Sequence, residues 1–128
     1  MPVPILKQGD CLIASIQSTL TDVDWRDLQQ QLLERVGRFR SRGIIVDVAA
    51  LDVMDSFATR TLRMIVDASR LRGAEMVLVG IQPEVALAMV RLGLTNRFHD
   101  VTTALDLEEG VALLAQTGRR REGNGRAK

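Results

Sequence analysis

The stretch from Ile44 to Leu71, Ile-Ile-Val-Asp-Val-Ala-Ala-Leu-Asp-Val-Met-Asp-Ser-Phe-Ala-Thr-Arg-Thr-Leu-Arg-Met-Ile-Val-Asp-Ala-Ser-Arg-Leu, constrains the fold more than any other part of the chain. Its opening run, Ile44-Ile45-Val46 followed by Asp47 and Val48, offers no regular polar side to water, so the strand it forms must be covered on both faces, as parallel strands are. Parallel pairing needs a crossover, usually a helix. A helix is what the sequence supplies next, reached through the acidic loop Asp52-Val53-Met54-Asp55 and beginning at Ser56.

The flanking segments extend this unit in both directions. Pro4 to Leu6 and Cys11 to Ile16 read as an antiparallel hairpin closed by Gln8-Gly9-Asp10. Thr21 and Asp24 have the spacing of a capping box, and Trp25, Leu28, Leu32, Val36 and Phe39 form an apolar stripe above it, opposite Arg26, Gln30, Glu34 and Arg38. Gly43 is the expected stop of that helix, and Gly73 that of the helix from Ser56 to about Arg72. Glu75 to Val79 reads as the next strand, and Gly80-Ile81-Gln82-Pro83 turns from it into a third helix ending at Gly93, with Pro83 at its first position. A short strand near Phe98 to Val101 and a last helix from about Thr103 to Gln116 complete the pattern. The expected order is β-β-α-β-α-β-α-β-α, a mixed, mainly parallel sheet opened by an antiparallel hairpin, with four crossover or covering helices. In such a fold the loop before Ser56 and the loop Gly80 to Pro83 emerge at one end of the sheet and are neighbours.

Length and composition suit one such domain, residues 1–117, followed by a basic tail, 118–128, that has almost no apolar surface to bury and is expected to be disordered. That tail carries about +4 of charge against a net +1 for the whole chain, so the folded body is mildly acidic. Aromatic residues make up 3%, too few for base-stacking platforms, and no nucleic-acid partner is expected. The single cysteine, Cys11, excludes an internal disulfide and suits a reducing compartment. No apolar run approaches membrane-spanning length and the N-terminus lacks a signal-peptide pattern, so the expectation is a cytoplasmic protein without membrane contact.

Catalytic patterns are missing. There is no Gly-rich phosphate loop, no Cys or His cluster with metal spacing and no Gly-x-Ser-x-Gly elbow, so neither a cofactor nor a bound metal is expected. His99, the only histidine, has no cysteine or serine companion and reads as a surface or strand-edge residue. Asp47 could suggest the phospho-accepting aspartate of a receiver domain, but Ser18-Thr19-Leu20 stands where a receiver needs an acidic pair. Asp52 and Asp55 beside a helix start are ordinarily solvated carboxylates that favour the helix dipole rather than a Mg²⁺ site. Ser56 is placed as an N-cap, its hydroxyl facing the free N–H groups of the first turn that also contains Thr59. Met54 either plugs the core under the loop or stands exposed for docking; Phe57 suits the core better.

Five segments in this order resemble one family. Pro-Ile-Leu-Lys at 4–7, Cys-Leu-Ile-Ala-Ser-Ile-Gln at 11–17, Asp-Ser-Phe at 55–57, Gly-Ile-Gln-Pro at 80–83 and Thr-Ala-Leu-Asp-Leu-Glu at 103–108 resemble the STAS domain proteins of the anti-sigma-factor-antagonist group, most of all the small antagonists of the bacterial stressosome. The resemblance implies a STAS fold and a non-enzymatic regulator that binds and sequesters a serine kinase of the GHKL fold. It implies phosphorylation at Ser56, reversal by a PP2C-type phosphatase, and co-assembly with larger STAS paralogues bearing sensory domains; it assigns no activity to Thr59, which stands only as a secondary candidate acceptor in the same turn. The docking surface it implies comprises Asp52, Met54, Asp55, Phe57 and Gln82. Phe57 departs from the small residue many members carry there, and the arginine-rich tail has no expected counterpart. A STAS-like module binding a nucleotide or small ligand through the same loops is the alternative.

Overall fold

In the computed structural model, which describes residues 3–92 and 101–126 (117–126 by their backbone alone), the strands and helices follow the expected alternation. Strands β1 (Ile5–Gln8) and β2 (Cys11–Ser15) form the hairpin, with Gly9 at φ 58 in its turn. Then come α1 (Asp22–Phe39), β3 (Gly43–Asp47), α2 (Ser56–Leu71), β4 (Glu75–Val79), α3 (Pro83–Arg91), β5 (Thr102–Ala104) and α4 (Leu107–Arg126). The sheet order is β1-β2-β3-β4-β5, with β1 antiparallel to β2 and every later pair parallel.

Strand β3 is covered on both faces, as its composition requires. Ile44 and Val46 join Leu12, Ala14, Met76 and Leu78 in the core beneath α1 and α2, while Ile45 joins Ile13, Val77, Val79 and Leu114 beneath α4. Helix α1 starts with the capping box: Thr21 Oγ1 accepts the N–H of Asp24 at 3.2 Å, and Asp24 Oδ2 accepts the N–H of Thr21 at 3.0 Å. Donation from the Thr21 backbone N–H, and after it from the Thr21 side chain, holds the Asp24 carboxyl below its ordinary range. Trp25, Leu28, Leu32 and Val36 are buried.

Several boundaries differ from those read in the sequence. Phe39, expected on the inner stripe, is 39% exposed with Lys7 and Arg38 against its ring, because α1 ends there and Arg40 turns left-handed at φ 51. Gly43 is therefore not the helix stop. It belongs to β3, where a Cβ would come within 2.6 Å of Leu114 Cδ1, so its smallness admits α4. Thr102 and Thr103 are strand rather than helix start; the expected strand position at Phe98, like His99 and Gly93, lies outside the described residues. Helix α4 begins at Leu107, after Asp106 Oδ1 accepts the N–H of Glu109 at 2.9 Å, and its backbone continues past Gln116 to Arg126.

Candidate functional site

Strands β2, β3 and β4 run in one direction, so the loops that follow β3 and β4 leave the same end of the sheet. The first spans the residues between Asp47 and Ser56. Asp47 Oδ1 turns back to accept the N–H of Ala49 at 2.9 Å, ending the strand. Leu51 and Met54 are 1% and 6% exposed and belong to the main core, which anchors the loop from below. Of the two roles open to Met54, the structure therefore supports the plug; it does not stand at the surface. Val53, 61% exposed, takes the outward position instead. An alternation of burial within one short loop is set by its turn, and no sequence period announces it.

The cap of α2 is Asp55, not Ser56. Asp55 Oδ1 accepts the N–H of Ala58 at 2.8 Å, and Asp55 has extended backbone while Ser56 is already helical. A carboxylate one residue upstream reaches the first-turn donors, so the serine is moved to the first helical position. Ser56 is exposed, and among the described residues no hydrogen bond engages its hydroxyl. Thr59 is its opposite: 2% exposed, with its hydroxyl donating to the Asp55 carbonyl oxygen at 2.9 Å. Phe57 is half-buried against the main core, as expected.

Arg26, which the sequence marks only as solvated, lies over the Phe57 ring with its guanidinium carbon 5.4 Å from the centroid. The amino-terminal parts of α1 and α2 are thus side by side, and a positive charge lies against the start of α2. Only the packing of the two helices reveals this pairing, since the residues are far apart in sequence.

The second loop joins the first directly. Gln82 Nε2 donates to the carbonyl oxygen of Ala49 at 2.6 Å. Gly80 adopts φ 76, and a Cβ there would meet Ala49 Cβ at 2.8 Å. The two loops form one surface, with Gln82 half-buried as their bridge.

Among the described residues no group of three His, Cys, Asp or Glu side chains is placed to hold a metal. A cavity of about 370 Å³ opens beyond the second loop, but Ile81, Ala86, Met89, Val90 and Leu105 make most of its wall, a poor match for a phosphate-bearing nucleotide. Among the described residues no helix is long and apolar enough to cross a membrane.

Comparison with known proteins places these features in a family. The STAS domain model matches residues 3–110. The RsbT co-antagonist protein RsbRA of Bacillus subtilis is 31% identical over 84 residues, 66% of this chain and 30% of RsbRA. The chain thus spans about a third of the length of the curated relatives it matches. A serine-to-glutamate variant of Moorella thermoacetica RsbS superposes with a TM-score of 0.81 at 34% identity, covering 91% of this chain and 97% of that one. A chain from the structure of the stressosome, described as a signal integration and transduction hub, gives 0.74 at 31% identity, covering 91% and 99%.

Proposed function

Since the chain belongs to the STAS domain family, we propose that it is a cytoplasmic, non-enzymatic antagonist of the stressosome type. In this reading it binds and sequesters a partner serine kinase of the GHKL fold through the paired loops. Phosphorylation of Ser56 releases the kinase, a PP2C-type phosphatase restores the binding form, and the domain assembles with larger STAS paralogues. The kinship to RsbS and to the RsbR co-antagonists supports the setting.

The observation that carries the reading is the division of labour at the start of α2. Asp55 makes the cap and Thr59 is buried and bonded, which leaves the Ser56 hydroxyl as the exposed and uncommitted acceptor. A phosphate there adds about −1.5 to −2 of charge beside Asp52 and Asp55, on the surface that must meet the kinase. Repulsion and desolvation then oppose docking, while a helix N-terminus tolerates the phosphate without unfolding. Asp52, Asp55, Phe57 and Gln82 form this docking surface together with Val53 and Arg26, and Met54 supports it from beneath. The test is intact-mass analysis and site mapping after incubation with the cognate kinase and ATP. One phosphate on Ser56 is the expected result; an unmodified chain, or a phosphate elsewhere, rejects it.

A further inference from the structure

A second polar feature lies at the other end of the sheet. The connections α1 to β3 and α2 to β4 arrive at the amino ends of parallel strands, opposite the Ser56 loops. Arg40, Ser41 and Arg42 from the first and Arg72 and Gly73 from the second, with Val36 and Gly37, line a notch of about 390 Å³. No carboxylate is among those lining residues.

Three details of the notch point to a ligand. Ser41 is 3% exposed, and its Oγ has no hydrogen-bond partner among the described residues, an uncommon state for a buried hydroxyl. The Arg72 guanidinium lies so close to α1 that a Cβ at Gly37 would overlap Nη2. Arg40 holds φ 51, a left-handed conformation that glycine adopts more easily, so a guanidinium occupies a position where the backbone favours no side chain. Cations at helix C-termini ordinarily serve the helix dipole, but each helix end supplies only about −0.5 of charge. The guanidinium groups of Arg40 and Arg72 carry +2, and two helix ends leave about +1 of that uncompensated.

We propose that this notch binds an oxyanion of the phosphate class, either free or as the head of a small phosphomonoester. Arg40 and Arg72 are the charged donors, and rotation of Ser41 brings in a neutral donor. The planar guanidinium fork matches two oxygens of a phosphate. A volume of about 390 Å³ is also in the range of small-molecule sites, so the anion can carry an organic body. The site is remote from the Ser56 loops and does not depend on the kinase reading.

The test is titration of the ¹⁵N-labelled full chain with inorganic phosphate and, separately, with glycerol 3-phosphate at fixed pH and ionic strength, following the amides of Arg40, Ser41, Arg72 and Gly73. Saturable shifts at these residues with either probe support the site. Tighter binding of the phosphomonoester identifies an organic phosphate, and equal or weaker binding identifies the free ion. Arg40→Gly, which relieves the left-handed strain and so remains folded, should weaken binding by about tenfold or more, as should Arg72→Gln. A guanidinium that only caps its helix predicts altered melting and no phosphate response. Absence of saturation by both probes at tens of millimolar, or a response retained in both variants, overturns the proposal.

Discussion

Asp55 Oδ1 accepts the N–H of Ala58 at 2.8 Å, which gives the cap of α2 to the residue before Ser56. Asp55→Ala should therefore cost about 1 kcal/mol, the usual worth of an N-cap side chain. Ser56→Ala should stay within about 0.5 kcal/mol of the parent, as expected for an exposed residue without a bonded side chain. Urea denaturation of the two variants measures the difference. A larger loss from the serine substitution would return the cap to Ser56.

The sequence exposed the frame of this site better than its detail. The β-branched run at Ile44 to Val46 predicts a strand buried on both faces, and that placement alone aligns the loops after β3 and β4 at one end of the sheet. Thr21 and Asp24 announce their capping box because both partners sit at fixed spacing. The cap of α2 was harder to place because Asp55 and Ser56 are adjacent and both are good caps; only the reach of the carboxylate to Ala58 decides between them. Arg26 over Phe57 and Gln82 on Ala49 were not legible, since each joins elements distant in sequence. The position of β5 was missed because Thr102 and Thr103 suit a strand and a helix start alike.

Trp25 is 3% exposed in the stripe with Leu28 and Leu32, on the side of α1 that faces the sheet. Trp25→Ala removes the largest side chain of that stripe and leaves a cavity the backbone cannot close, so a loss of about 3–5 kcal/mol is expected. The checking measurement is the shift in the guanidinium denaturation curve. A neutral outcome would place the indole on a surface rather than in the core.

Gly80 has φ 76, and a Cβ there would lie 2.8 Å from Ala49 Cβ and 3.2 Å from Ala49 Cα. Gly80→Ala combines left-handed strain with overpacking against backbone, for an expected cost of about 1–3 kcal/mol. It should also separate the loops that Gln82 ties together and so weaken kinase binding more than Gln82→Ala does. Melting and affinity measured on both variants check this; a fully stable Gly80→Ala chain would show that the loops yield easily.

Burial, and after it the negative charge of Asp10, pushes the Cys11 thiol above its ordinary range. The thiolate is the nucleophile, so a raised thiol presents less of it at neutral pH. Alkylation by iodoacetamide at pH 7.5 should be several-fold slower than that of an unstructured cysteine peptide, and the ratio should narrow as the pH rises through the cysteine range. A rate equal to that of the peptide at neutral pH would contradict the burial of this strand.

The switch itself separates charge from stability. Because Asp55 holds the cap, Ser56→Ala and Ser56→Asp should both melt close to the parent, the aspartate gaining at most about 0.3–1 kcal/mol from the helix dipole. Their kinase binding should nevertheless diverge. Ser56→Ala keeps a neutral surface and is expected to bind as the parent does and to resist phosphorylation. Ser56→Asp sets a third carboxylate beside Asp52 and Asp55, so affinity should fall several-fold or more, with the larger share in the dissociation rate if the charge is desolvated on docking. The effect should shrink only partly in high salt, because a desolvated charge is screened less than an exposed one. Melting, affinity and phosphosite mapping on the same three proteins give the answer together. An aspartate variant that binds like the parent, or phosphate found on Thr59 alone, would remove Ser56 from the mechanism and leave it as an ordinary first-turn residue of α2.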